Sequence, residues 1–122
     1  MKIEELSIGD WVFHLAEMQA GRISHIHRIG GIYSIGLDCA DCVAVCGIND
    51  IAPIAITPEI LEKNGFVDVG GVFNYDTVDL FCEDGKLYFA REAGYDKLLQ
   101  VQHVHQLQHA LRLAGINKEI EV

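Results

Sequence analysis

Two adjacent glycines, Gly30-Gly31, lie between two β-branched runs and constrain this chain more than any other feature. A glycine pair accepts the positive φ angles of a two-residue hairpin turn, whose twist matches that of the strands it joins. The run Arg22-Ile23-Ser24-His25-Ile26-His27-Arg28-Ile29, started by Gly21, enters the turn, and Ile32-Tyr33-Ser34-Ile35-Gly36-Leu37 leaves it. A two-residue loop sets the register: Ile29 opposite Ile32, His27 opposite Ser34, Ile26 opposite Ile35. Side chains alternate between faces along a strand. Ile26 and Ile35 therefore fall on a core face, and His25, His27 and Ser34 on a wet one.

The same signals extend along the chain. Ile8-Gly9-Asp10-Trp11-Val12 opens a first strand, in which Trp11, Phe13 and Leu15 alternate with Val12 and His14. Asp38 to Asp41 reads as a turn, Cys42 to Ile48 as a short apolar strand, Asn49-Asp50 as a turn, and 51–56 as extended around Pro53. Thr57-Pro58-Glu59 starts a short helix with an N-cap Thr, a Pro at the first helical position and an acid in the first turn. That helix runs to Asn64, and Gly65 suits its left-handed end. Val67 to Val72 is Gly-rich and reads as a loop or bulge, and Phe73 to Cys82 as one strand. Glu83-Asp84-Gly85-Lys86 is a type I′ hairpin signal, returning as Leu87 to Arg91. That register places Cys82 opposite Leu87, on a face with Leu80 and Phe89, and so in the core. Gly94-Tyr95 reads as a turn and Lys97 to Val101 as a further strand. The last helix spans about His103 to Ala114, with Val104, Leu107, Leu111 and Ala114 forming one apolar stripe. Glu119 to Val122 is expected to close a sheet edge.

Size and charge narrow the function classes. With 122 residues, half of them apolar, the expectation is one folded domain over 1–122. Nine basic residues against eighteen acidic ones give a net charge of −9, which opposes a phosphate backbone and argues against nucleic-acid partners. An acidic mimic of DNA would carry rows of carboxylates, whereas here they come singly or in pairs (Glu4 and Glu5, Glu83 and Asp84). Met1 to Leu6 has no apolar signal region, and no apolar run reaches the ~20 residues of a membrane span. The expected location is the cytoplasm, where cysteines stay reduced.

Candidate chemistry centres on thiols and imidazoles. Cys39, Cys42 and Cys46, with Cys82 as a fourth, have the look of a zinc or iron–sulfur set. On a strand, however, Cys42 and Cys46 lie about 13 Å apart, too far for one tetrahedral zinc. Cys39 also has the opposite parity to Cys42, and Val43 stands where a metal knuckle carries Gly or a polar residue. The simpler reading is four small apolar side chains packed in a core. His25 and His27 share a strand face, and His105 and His109 a helix face. Neither pair has the glutamate of a metalloprotease. A metal site there needs a third ligand, which His14 supplies if the first two strands bring it to His25. A Cys82–His nucleophile pair is disfavoured, because Cys82 reads as buried. No phosphate loop or nucleophile elbow is present. No catalytic, cofactor or metal residue is therefore assigned. Tyr33, Phe73, Tyr75, Tyr88 and Tyr95 are candidates to line a binding groove.

Two segments carry a family resemblance. Ile51-Ala52-Pro53-Ile54-Ala55-Ile56-Thr57-Pro58-Glu59-Ile60-Leu61-Glu62-Lys63-Asn64-Gly65-Phe66 is similar to a PIPLTPEILEKNGF signature. Val104-His105-Gln106-Leu107-Gln108-His109-Ala110-Leu111 resembles a VHQLQ-type signature. With Ile8 to Val12 at the start, the chain resembles a family of small uncharacterised proteins of gut bacteria and their phages and prophage-like elements. The resemblance implies no established activity, and it does not extend to the cysteine segment. His105 and Gln106 are polar residues inside the second motif, able to hydrogen-bond to strand edges or to a partner, and the sequence does not choose between the two.

The expected fold is α+β: a small bent antiparallel sheet, SH3-like or a partly open barrel, with one short helix and a C-terminal amphipathic helix. The leading functional expectation is a non-enzymatic binding or assembly module, phage- or mobile-element-related, acting through a protein partner or self-association. Two alternatives stand beside it. One is a metal- or thiol-dependent protein using Cys39, Cys42, Cys46 and Cys82. The other is an acidic inhibitor of a host nucleic-acid enzyme.

Overall fold

A computed structural model describes residues 1–40, 43–91 and 94–122, with side chains described outside 91–98. The fold is α+β, and every strand ladder among the described residues is antiparallel. The chain forms two compact units, Met1–Ile54 and Ala55–Val122, each built on a five-stranded sheet where the sequence suggests a single small one.

In the first unit, β1 (Trp11–His14), β2 (Gln19–Ile29), β3 (Ile32–Cys39), β4 (Val43–Cys46) and β5 (Ile51–Ala52) assemble in the order β4-β3-β2-β1-β5. The hairpin at Gly30 and Gly31 forms as expected, with both φ angles positive and Ile29, His27 and Ile26 opposite Ile32, Ser34 and Ile35. β2 begins at Gln19, two residues before Gly21, because Gln19 and Ala20 already pair with His14 and Phe13. The expected turn over Asp38 to Asp41 is largely strand. Asp38 and Cys39 extend β3, pairing with Arg22 and Gly21, and Asp41 lies outside the described residues. Asn49-Asp50 belongs to a single 3₁₀ turn, Ile48–Asp50, so the apolar strand ends at Cys46.

One irregularity decides which residues of β2 are buried. Ile23 pairs with Leu37 and His25 pairs with Gly36, so Ser24 is surplus: a β-bulge. Strict alternation puts Ile23 with His25 and His27 on the wet face. The extra residue instead returns Ile23 to the face of Ile26, Ile35 and Leu37. That face holds a core of Leu6, Val12, Ile23, Ile35, Leu37 and Ile51, with Ile3, Ile26, Cys39, Ala44, Cys46 and Ile48 packed against it.

In the second unit, α1 (Pro58–Lys63) precedes a meander of β6 (Val67–Val69), β7 (Val72–Tyr75), β8 (Val78–Glu83), β9 (Lys86–Arg91) and β10 (Gly94–Gln100), and α2 (Val104–Leu113) follows. The Thr57 hydroxyl accepts from the Ile60 amide at 3.2 Å, the expected N-cap. Val67 to Val72 is not a loop but a second glycine hairpin. Gly70 and Gly71 both take positive φ, and Val69 pairs with Val72. Phe73 to Cys82 is not one strand but two, because Asp76 adopts φ 53° and turns the chain between Tyr75 and Val78. Asp tolerates that left-handed geometry better than most residues. Gly94 and Tyr95 lie in β10 rather than in a turn.

The end of the chain departs most from expectation. Glu119 to Val122 joins no sheet among the described residues. Two side-chain amides hold it instead. Asn64, at the C-cap of α1, donates to the Ile60 and Glu121 carbonyls at 2.7 and 2.6 Å and accepts from the Glu121 amide at 2.8 Å. Gln108, on α2, donates to the Lys118 carbonyl at 2.7 Å and accepts from the Ile120 amide at 2.8 Å. Each carboxamide thus presents a donor and an acceptor side by side, as a neighbouring strand would. Between them the Ile120 side chain is fully buried.

Candidate functional site

The registers define the outer face of the first sheet, opposite its core, as a set of cross-strand lanes. Ile29 and Ile32 form one lane, His27 and Ser34 the next, then His25, Gly36 and Val45, then Trp11, Arg22, Asp38 and Val43. This face is apolar for a surface. Ile29, Ile32, Val43 and Val45 are 76, 74, 73 and 65% exposed. Exposed aliphatics on one face of a sheet, here in two groups on either side of the His27–Ser34 lane, mark interaction sites more often than bare surface. The Arg22 guanidinium lies 5.6 Å from the Trp11 ring centre and donates to the Gly9 carbonyl, so one cation of the face is held in place.

His25 and His27 sit in the middle of this face. Their rings are 4.8 Å apart, tilted by 56°. The His25 ring lies flat over Gly36, in the space a Cβ there would occupy. His25 Nδ1 is 3.2 Å from the Ser24 hydroxyl. The bulge, the glycine and the serine together give His25 a defined place. His14 does not complete the pair. It shares the core face with Val12, pairs with Gln19 at the far end of β2, and its buried Nδ1 has no hydrogen-bond partner among the described residues.

Among the described residues, no three His, Cys, Asp or Glu side chains come together to hold a metal. Cys39 and Cys46 are half-buried against the first unit's core, and Cys42 lies outside the described residues. Burial pushes the Cys46 thiol up from its ordinary pKa, with the Asp50 carboxylate and Cys39 adding to the effect. Cys82 corrects the sequence expectation. It pairs with Leu87 as expected but is exposed, because it lies near the tip of the Asp84-Gly85 hairpin, beyond Leu80 and Phe89 on the same face.

Thiol chemistry should follow these environments. At pH 8, Cys82 is expected to be alkylated by iodoacetamide at least ~10-fold faster than Cys46, because the thiolate is the nucleophile and burial depletes it. The gap should narrow as pH rises and Cys46 ionises. Peptide mapping over time separates the two sites, and equal rates would contradict the burial of Cys46.

Within the second unit the described aromatic candidates do not all share one face. Tyr33 belongs to the first unit, where the Arg28 guanidinium lies 5.7 Å from its ring centre. In the second unit Phe73 and Tyr75 share a face with Leu80, whereas Tyr88 pairs with Phe81 on the opposite face. The Tyr95 side chain lies outside those described. His105 and Gln106 also resolve into architecture. The Gln106 carboxamide oxygen accepts from the Gln102 and His103 amides, at 2.8 and 3.1 Å, and caps α2. His105 is buried, its ring parallel to that of His103 and edge-on to that of His109. Reasoning from sequence missed Asn64 and Gln108. Their signal was present: both are amides inside the two recognised segments. Comparison with protein-family models, with curated proteins and with solved structures finds no match for this chain.

Proposed function

We propose that this protein is a non-enzymatic binding or assembly module of the cytoplasm, phage- or mobile-element-related, that associates with a second copy of itself through β4. The observation that carries the reading is the condition of that edge. β4 is Val43-Ala44-Val45-Cys46, an outermost strand with one backbone side unpaired by any described strand. It carries no charge, no proline and no bulge, the devices that normally keep sheet edges apart. Its two valines are exposed on the outer face. The edge strand β6 of the other sheet differs in carrying Asp68. Strand addition at an edge draws affinity from main-chain hydrogen bonds and specificity from alternate side chains, and β4 offers both.

Sedimentation over a wide concentration range tests this reading. The native chain is expected to associate as concentration rises. Val45→Lys should weaken association by at least ~10-fold, about 1.4 kcal/mol, by setting like charges against each other across the paired edges. Val45 is exposed, so the substitution spares the core. A native chain that stays monomeric throughout, or a Val45→Lys chain that associates equally well, would remove the proposal.

A further inference from the structure

We propose that His25 and His27 form a chelating site for a late first-row divalent cation, of the class of Cu²⁺ and Zn²⁺, on the outer face of the first sheet. The inference is independent of pairing at β4. Residues two apart on a strand point the same way, and here the two rings stand 4.8 Å apart between centres. A metal about 2.0–2.1 Å from an imidazole nitrogen lies roughly 3.2 Å from the ring centre, so two rings on one ion sit about 4.5 Å apart at a right angle and about 5.2 Å apart at a tetrahedral one. The observed separation falls between these values, so the ring centres are already spaced for sharing an ion.

Three neighbours prepare the site. The Ser24 hydroxyl, 3.2 Å from His25 Nδ1, engages that nitrogen and leaves Nε2 to the metal. Ligating histidines commonly engage a polar partner through the nitrogen that does not hold the metal. Gly36, lacking a Cβ, lets the His25 ring lie across the neighbouring strand. Ser34, opposite His27, keeps the far side of the pair small and polar. His14, opposite Gln19 on the core face, does not supply a third ligand, so water entering beside the exposed His27 takes that place and the ion exchanges readily. Among the described residues, the charged ones on this face are Arg22 and Asp38, one lane away, and β4 contributes none. With a net charge of −9, the chain favours cations in its vicinity.

The test is calorimetric titration of the tag-free full chain with Cu²⁺ and separately with Zn²⁺, read alongside imidazole NMR resonances. One saturable site is expected at neutral pH, tighter for Cu²⁺ than for Zn²⁺ in keeping with the intrinsic order of these ions. The His25 and His27 resonances should respond first. His27→Ala removes one ligand at an exposed position and should weaken that site at least ~10-fold, because a chelate becomes a single contact. Gly36→Ala keeps both histidines but displaces the His25 ring, and should weaken binding several-fold. Circular dichroism confirms that both variants keep the fold. Binding of the His27→Ala chain within twofold of the native one, or a first response at His103 or His109 instead, would overturn the proposal.

Discussion

Deletion of Ser24 is expected to leave the first sheet folded, whereas deletion of His27 from the same strand should unfold it. Single-residue deletions inside a central strand are ordinarily ruinous, since a one-residue slip sends every side chain to the other face. Ser24 is the exception because it is the surplus residue of the bulge. Without it, Ile23 still meets Leu37 and His25 still meets Gly36, now in an unbroken ladder. Without His27, a regular ladder counted from Ile23 carries Ile26 outward and His25 inward. Losing the partial burial of Ile26 costs about 1–2 kcal/mol. Burying an imidazole without a partner adds about 1–3 kcal/mol. Their sum, roughly 2–5 kcal/mol, approaches the whole stability of a small fold. Trp11, the chain's one tryptophan, lies in β1 and reports on this sheet through its fluorescence during urea unfolding. Equal loss of stability in the two deletions would mean that the bulge has been misplaced.

The second large effect concerns the clamp at the end of the chain. Gln108→Ala removes the partners of the Ile120 amide and the Lys118 carbonyl. Asn64→Ala removes those of the Glu121 amide and carbonyl, together with a bond to the Ile60 carbonyl. The bond to the Ile120 amide is buried and the others are half-buried; at about 1–3 kcal/mol for a buried group left without a partner, and less where water reaches it, each variant should lose roughly 2–4 kcal/mol. The double variant should lose less than the sum. Once either amide is gone the tail loosens, Ile120 leaves its site, and the second amide has nothing left to hold. Hydrogen exchange at the Ile120 amide gives the local reading, with protection collapsing in both single variants. A Gln108→Ala chain that loses under about 0.5 kcal/mol and keeps that amide protected would show that the tail is held by the Ile120 side chain alone.

These expectations separate what was legible in the residues from what was not. The Gly30-Gly31 and Asp84-Gly85 turns, the Thr57 cap and the apolar stripe of α2 were all readable. Each depends on φ preferences, a hydrogen bond or a periodicity spanning a few residues. The hairpin at Gly70-Gly71 and the turn at Asp76 are equally local, but alternating apolar residues on both sides of Asp76 hid the break. The candidate site was half legible. The shared face of His25 and His27 follows from spacing, whereas the seat of the His25 ring over Gly36 does not.

By itself, the sequence determined the antiparallel β character, the registers of the Gly30-Gly31 and Asp84-Gly85 hairpins and the two helices, because short-range backbone preferences act before any distant contact forms. The tertiary structure alone decided that Ile23 turns inward, that Cys82 stands in solvent, and that Asn64 and Gln108 hold the last residues in place of a sheet. Each of these depends on which surfaces meet across dozens of residues. There, burial of apolar area and satisfaction of distant backbone groups outweigh the alternation that a strand carries in its own residues.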